Sequence, residues 1–149
     1  MRKYDVIIIG GGIIGAACAR ELSQHGKSVL VLDAASPGCK ATSQCMGHIV
    51  IMDDSDTQMN FSLLSSRLWD EEIARLPEDC DAQQSGTLWV AEDDEEMEAV
   101  YKKHAYYASF GVKTEIVERN ALYKYEKHLK EGLRGALRVP GDRVVYPAN

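Results

Sequence analysis

The sequence predicts an α/β fold: a Rossmann-like βαβ unit at the N-terminus, then the first strands and helices of a mixed α+β region. Three observations carry that expectation. The apolar run Val6-Ile7-Ile8-Ile9 is too short and too β-branched for a helix and reads as a buried parallel strand. It leads into the turn Gly10-Gly11-Gly12-Ile13-Ile14-Gly15. Ser28-Val29-Leu30-Val31-Leu32 then reads as a second buried strand, and Asp33 closes it eighteen positions after Gly15.

Each part of this unit has a physical task. Gly10 permits a tight exit from the first strand, and Gly12 removes the side chain that would keep a pyrophosphate from the backbone. Gly15 lets helix and strand approach closely. Ile13, Ala16, Ala17, Ala19, Arg20 and Leu22 suit a helix that lays small residues on a sheet, ended by His25-Gly26. Its unpaired N–H groups and positive end face the phosphates, the dipole contributing roughly 0.3–1 kcal/mol. The Asp33 carboxylate then accepts hydrogen bonds from both ribose hydroxyls. A tight βα turn without ligand would also need glycines; the two apolar strands and the acid at this distance favour the dinucleotide.

The 149 residues are 45% hydrophobic and 27% charged, enough for one domain with a core. Net charge is −6, and no basic patch interleaved with aromatics marks a nucleic-acid partner. Glu92-Asp93-Asp94-Glu95-Glu96 concentrates the acidity where a helix N-terminus is expected. Arg2, Lys3, an apolar stretch and Ala17-Cys18-Ala19 imitate a secretory leader, but Asp5 and three glycines interrupt it. The apolar part is also too short to span a bilayer. Cys18, Cys39, Cys45 and Cys80 form no C-x-x-C pair and have no histidine at zinc spacing. No metal is expected, and the unpaired cysteines fit a reducing, cytoplasmic setting.

After Asp33, Pro37-Gly38 marks a turn. Thr42 and Ser43 either stand beside phosphate oxygens or satisfy free N–H groups at a helix start, and the residues alone leave both readings open. Asp53, Asp54, Ser55 and Asp56 start a helix from about Ser55 to Arg75, limited by Pro77. Phe61, Leu64, Leu68 and Ile73, extended by Met59 and Trp69, are its expected core stripe. Gly86 to Ala91 reads as a strand, with Trp89 in the core rather than facing a substrate or a partner subunit. A second amphipathic helix spans about Asp93 to Phe110, with Met97, Val100, Tyr101, His104 and Ala108 on one face and Gly111 at its C-terminal cap. Val112 to Val117 reads as a strand and Asn120 to Lys127 as a short helix or turn. Leu133 to Val139 and Arg143 to Val145 read as strands paired with each other.

The order Gly10 to Gly15, Asp33, Pro37-Gly38, Ala41-Thr42-Ser43 and Gly47 resembles the first third of the FAD-dependent D-amino-acid oxidase superfamily, which includes glycine and sarcosine oxidases. Met46 to Ser55, Gly86-Thr87-Leu88-Trp89 and Val139 to Pro147 are similar, more narrowly, to the FAD subunit of bacterial hydroxyproline dehydrogenases. The resemblance runs nearly the whole length. It implies that Gly10, Gly12, Ile13, Ile14 and Gly15 wrap the pyrophosphate, that Asp33 holds the adenosine ribose, and that Ala34 belongs to the same contacts. Thr42 and Ser43 would continue the phosphate contacts, and Cys45, Met46, Gly47 and His48 would pass along the isoalloxazine. Asp33 stands where these flavoproteins more often carry Glu, Lys40 where glycine oxidases tend to have Arg, and Lys127 where proline is usual.

His48 is the candidate catalytic residue. An imidazole there either hydrogen-bonds near flavin N5 and stabilises the reduced ring, or is tethered to a neighbouring carbonyl at a strand start. The resemblance further implies that residues 1–80 begin the FAD-binding domain and 81–149 the substrate domain. A helix, the rest of the sheet and the arginine that anchors a substrate carboxylate would follow Asn149, so the chain reads as an N-terminal fragment. Arg134, Arg138 and Arg143 are the arginines at hand. Strand edges and apolar faces left uncovered would be met by partner subunits or self-association. The expected function is oxidation of an amino acid or secondary amine at its C–N bond with hydride transfer to FAD. A non-catalytic FAD-binding or assembly fragment and an NAD-dependent dehydrogenase are the alternatives.

Overall fold

The computed structural model describes residues 2–147, which form two compact units, 2–47 with 146–147, and His48–Val145.

In the first unit, strand β1 (Val6–Ile9) pairs in parallel with β2 (Val29–Leu32), Val6 opposite Val29 and Ile9 opposite Leu32. Helix α1 (Ile13–Gln24) connects them, packs on both, and ends at His25 and Gly26, whose φ of +72° is the left-handed cap expected of glycine. A reciprocal knot ties the strand entries together. The Ser28 N–H and hydroxyl donate to Asp5 Oδ2 at 2.8 and 2.6 Å, and the Asp5 N–H donates back to Ser28 Oγ at 3.0 Å. A one-turn helix, α2 (Ala41–Gln44), follows the Pro37-Gly38 turn.

The strands were expected to be buried and are not. Ile7 is 59% exposed and Ile9 89%, and α1 has no buried residue. A two-stranded sheet covered by one helix has a single sheltered face, so β-branched runs composed for burial on both faces keep one in solvent.

Among the described residues, the buried hydrophobic ones all lie in the second unit. It holds β3 (His48–Ile49), α3 (Asp56–Ile73), β4 (Thr87–Ala91), α4 (Asp94–Ser109), β5 (Glu115–Glu118), α5 (Arg119–Tyr125), β6 (Gly135–Val139) and β7 (Arg143–Val144). Strand β6 is central in an antiparallel sheet of order β4-β6-β5, with Leu88, Arg138 and Glu115 in one cross-strand row. Helix α4 covers one face through Met97 and Val100 on Leu137, and α5 covers the other through Leu122 on Ala136 and Val117. The acidic run starts α4 as expected: Asp93 accepts the Glu96 N–H at 2.9 Å, while Glu96 accepts the Glu92 N–H at 2.6 Å. Gly111 closes the helix at φ +76°, with the Val112 N–H on Tyr107 O.

Four expectations need correction. First, β6 and β7 do not pair with each other. The Asp142 carbonyl between them accepts the Gly86 N–H at 3.0 Å, and β7 instead pairs with β3, His48 opposite Val144. Second, on α3 Met59 is buried as expected and Leu63 turns inward with it, while Phe61, Leu64 and Leu68 are 74%, 46% and 53% exposed. The helix carries two apolar stripes, and only one meets α4. Third, Tyr101 and Ala108 of α4 face solvent and Tyr107 is fully buried in their stead. Fourth, Trp89 is half-exposed, with Lys103 Nζ 4.1 Å above its ring and the same ammonium paired with Asp53.

Candidate functional site

The glycine loop is built by close approaches. Gly10 has a φ of +110°, open to glycine alone, and its N–H donates to Leu32 O at 2.7 Å. A Cβ on Gly15 would lie 1.9 Å from Gly10 O, so α1 leaves the turn in contact with its backbone. A Cβ on Gly12 would stand 3.1 Å from Thr42 Oγ1. The first helical bond runs from Ala16 N–H to Gly12 O, which leaves the N–H groups of Ile14 and Gly15 with no carbonyl of the helix to serve. The N–H of Ile13 is taken: it donates to Thr42 Oγ1 at 3.1 Å.

Thr42 therefore caps α1 rather than the helix it sits on. Ser43 stays local, its hydroxyl donating to Lys40 O at 3.1 Å and its N–H to Gly38 O at 2.9 Å. The Gly38 N–H returns to Gly11 O at 3.0 Å, so the turn after β2 is stitched to the glycine loop.

Asp33 stands at the same loop. Its Oδ2 accepts the Gly11 N–H at 2.6 Å and its Oδ1 the Ala35 N–H at 2.8 Å. These bonds, that from Gly11 first, hold its carboxyl below the ordinary carboxylate range, so it is ionised at neutral pH. A carboxylate offers about four lone-pair sites, and Gly11 and Ala35 take one on each oxygen. The exposed remainder is what two ribose hydroxyls need. With helix N–H groups directed outward and a cradle that a Gly12 side chain would fill, the residues present fit a dinucleotide. Ala34 is exposed beside Asp33.

At the end of the first unit, Cys45 and Met46 are exposed, Met46 by 75%, and Gly47 is buried at φ +67°. His48 belongs to the second unit. It is exposed at the start of β3, as expected of a strand start, but its ring forms no hydrogen bond with a described residue, so the tether to a carbonyl is not made. It lines an open cleft of roughly 360 Å³ with Val50, Met52, Ser62, Ser65 and Trp69.

The three arginines are engaged: Arg134 pairs with Asp94, Arg138 with Glu115 at 2.9 Å, and Arg143 with Asp70 at 2.6 Å. Among the described residues no group of three metal-ligating side chains comes together, and the four cysteines are free thiols, Cys80 buried and the others exposed. Among the described residues no helix is long and apolar enough to cross a membrane. Two contributions escaped the sequence reading. Gly11 is the loop's link to Asp33, legible only once the two strands are in register. Asp142 and Tyr107 hold the strand after His48, and no periodicity or spacing marks them.

These features define a dinucleotide-binding α/β protein. The chain matches the family described as DAO, FAD dependent oxidoreductase, over residues 5–149, and belongs to it; FAD is that family's cofactor. It is 29% identical over 154 residues to a glycine oxidase from Bacillus licheniformis, covering 99% of this chain and 40% of that one. Among solved structures it is similar to glycine oxidase from Geobacillus kaustophilus, with a TM-score of 0.88 and 26% identity over 99% of this chain and 42% of that chain. L-proline dehydrogenase from P. horikoshii follows with a TM-score of 0.85 and 25% identity, over 98% of this chain and 39% of that one. The chain thus spans about 40% of the length of the relatives it matches.

Proposed function

We propose that the chain supplies the cofactor-holding part of an oxidoreductase acting on an amino acid or secondary amine. FAD, when bound, supplies the hydride acceptor for oxidation of the C–N bond. The chain's residues bind and orient: Gly10, Gly12, Ile14 and Gly15 present backbone to the pyrophosphate, Asp33 accepts from the ribose, and Thr42 fixes the N-terminus of α1. The observation that carries this reading is the ionised Asp33 carboxylate bonded to the Gly11 amide, with the Ile14 and Gly15 N–H groups offered no helix carbonyl. His48, with Cys45, Met46 and Gly47, lies along the ring in this reading, its imidazole a hydrogen-bonding neighbour that favours the reduced, anionic form. We further propose residues 1–80 as the start of the FAD-binding domain, 81–149 as the start of the substrate domain, and a cytoplasmic location. Arg134, Arg138 and Arg143 are paired internally and are not proposed as anchors for a substrate carboxylate.

The visible spectrum of the purified chain, with and without added FAD, tests the reading. Flavin absorbance that stays with the protein through gel filtration is the expected result. Bleaching on anaerobic addition of glycine or proline would extend it to turnover. A chain that retains no flavin but binds NADH would overturn it. The exposed Phe61, Leu64 and Leu68 favour one second reading, an assembly module, in which flavin binds but no amine bleaches it.

A further inference from the structure

The segment after His48 is held by side chains rather than by a sheet. Only His48 and Ile49 pair with β7. At Ile51 the peptide is gripped at both ends: its N–H donates to Asp142 Oδ1 at 3.2 Å, and its carbonyl accepts the Tyr107 hydroxyl at 3.1 Å. Both holders are buried, Asp142 3% exposed and Tyr107 not at all. The next residue is held likewise, the Met52 N–H donating to Ser62 Oγ at 3.1 Å. The second carboxylate oxygen of Asp142 is buried without a partner among the described residues.

A buried carboxylate with one oxygen unserved is an expensive way to hold one amide, and a threonine or asparagine would serve at less cost. The arrangement has use only if the grip must be firm at the place it acts. We propose that Asp142 and Tyr107 are positioning residues: together they clamp the Ile51 peptide and thereby fix the backbone that carries His48. This rests on the reading of His48 given above.

The groups facing Asp142 are His48 on β3, Arg143 on β7, the Thr87 hydroxyl on β4, and Tyr107 on α4, itself neighbour to Asp53, Asp54, Tyr106 and Lys103. Desolvation outweighs the Thr87, Ile51, Arg143 and His48 contributions and raises the Asp142 carboxyl above its usual range. The clamp is therefore held by a neutral acid at low pH and a buried anion at higher pH. The anion is the stronger acceptor for Ile51 but costs more to bury, so the stability of this unit declines as pH rises through that titration.

Amide spectra of the full chain across pH 3–8 test the clamp. The Ile51 amide proton is expected to move in one step with a midpoint above 3.8, the ordinary aspartate value here, and Asp142→Asn is expected to abolish the step while keeping the fold. An Ile51 amide that does not titrate, or a step that survives in Asp142→Asn, overturns the clamp. FAD titration then tests positioning. Asp142→Ala and Tyr107→Phe are expected to weaken binding about tenfold and shift the visible flavin band, with Asp142→Asn, which keeps an acceptor for the Ile51 N–H, falling between them and the parent. Parent affinity and an unshifted band in both Asp142→Ala and Tyr107→Phe overturn the positioning role. Should Asp142→Ala fail to fold, Tyr107→Phe decides alone. If the parent chain takes up no FAD, the functional reading fails and the positioning role falls with it, while the Ile51 step still establishes or refutes the clamp.

Discussion

Replacing Gly15 by alanine is the sharpest test of how the cofactor loop is built. The added methyl would lie 1.9 Å from Gly10 O and 3.0 Å from Gly10 C, both backbone atoms of the turn that α1 leaves. Ordinary carbon–oxygen contact is near 3.4 Å, so helix and turn must separate by about 1.5 Å. No flexible side chain can give way, and α1 is the helix that packs on the two strands. Overpacking of this kind costs about 3 kcal/mol, the upper end of the usual range, because backbone must move. Gly26→Ala is the control. Gly26 has a positive φ, and a Cβ there meets nothing within 4 Å, so the cost is the left-handed conformation alone, about 1 kcal/mol. Hydrogen exchange of the α1 amides reads both variants within the first unit. Protection should fall more than a hundredfold in Gly15→Ala and about fivefold in Gly26→Ala, with FAD uptake lost only in the former. Equal protection in the two variants would refute the close approach of α1 to the turn.

Gly12→Ala separates binding from stability: its methyl meets only the Thr42 hydroxyl at 3.1 Å, so thermal stability should change little while FAD affinity falls at least about tenfold, and unchanged affinity would remove Gly12 from the pyrophosphate contact. Asp5 and Asp33 both have lowered carboxyl pKa values, Asp5 through Ser28 and Asp33 through Gly11. Their contribution to the first unit is present above about pH 4 and is lost as pH falls through the lowered values, so α1 exchange should quicken in acid, less steeply in Asp5→Asn. In alkali the second unit responds. Tyr106, bonded to Asp56, is pushed up to about 12, and Tyr107 is raised further by burial. Their stabilising share is therefore lost as pH rises from about 10 through those values, and tyrosinate absorbance should show two late ionisations, one of them absent in Tyr107→Phe.

Much of the first unit was legible because its information is local. The β-branched run, the glycines at fixed offsets and the acid closing the second strand each act within a few residues, and β1, α1 and β2 lie where those signals place them. Helix ends were legible for the same reason: Ser55, Asp93 and Gly111 are caps whose partners lie within a turn. Pairing and orientation were not. Whether β6 meets β7 depends on Gly86, far back in the chain, taking the carbonyl of Asp142, and no period in the sequence records that.

By itself, then, the sequence determined the βαβ unit, its turn chemistry, the family and hence the cofactor. Only the tertiary structure decided that Thr42 serves the α1 N-terminus, that Gly11 holds Asp33, that Phe61 and its stripe face outward, and that Asp142 and Tyr107 grip Ile51. The division has a physical cause. Backbone conformation is chosen by neighbours along the chain, whereas the partner of a buried polar group is chosen by whatever element the fold brings to it, at separations such as the 91 residues between Ile51 and Asp142.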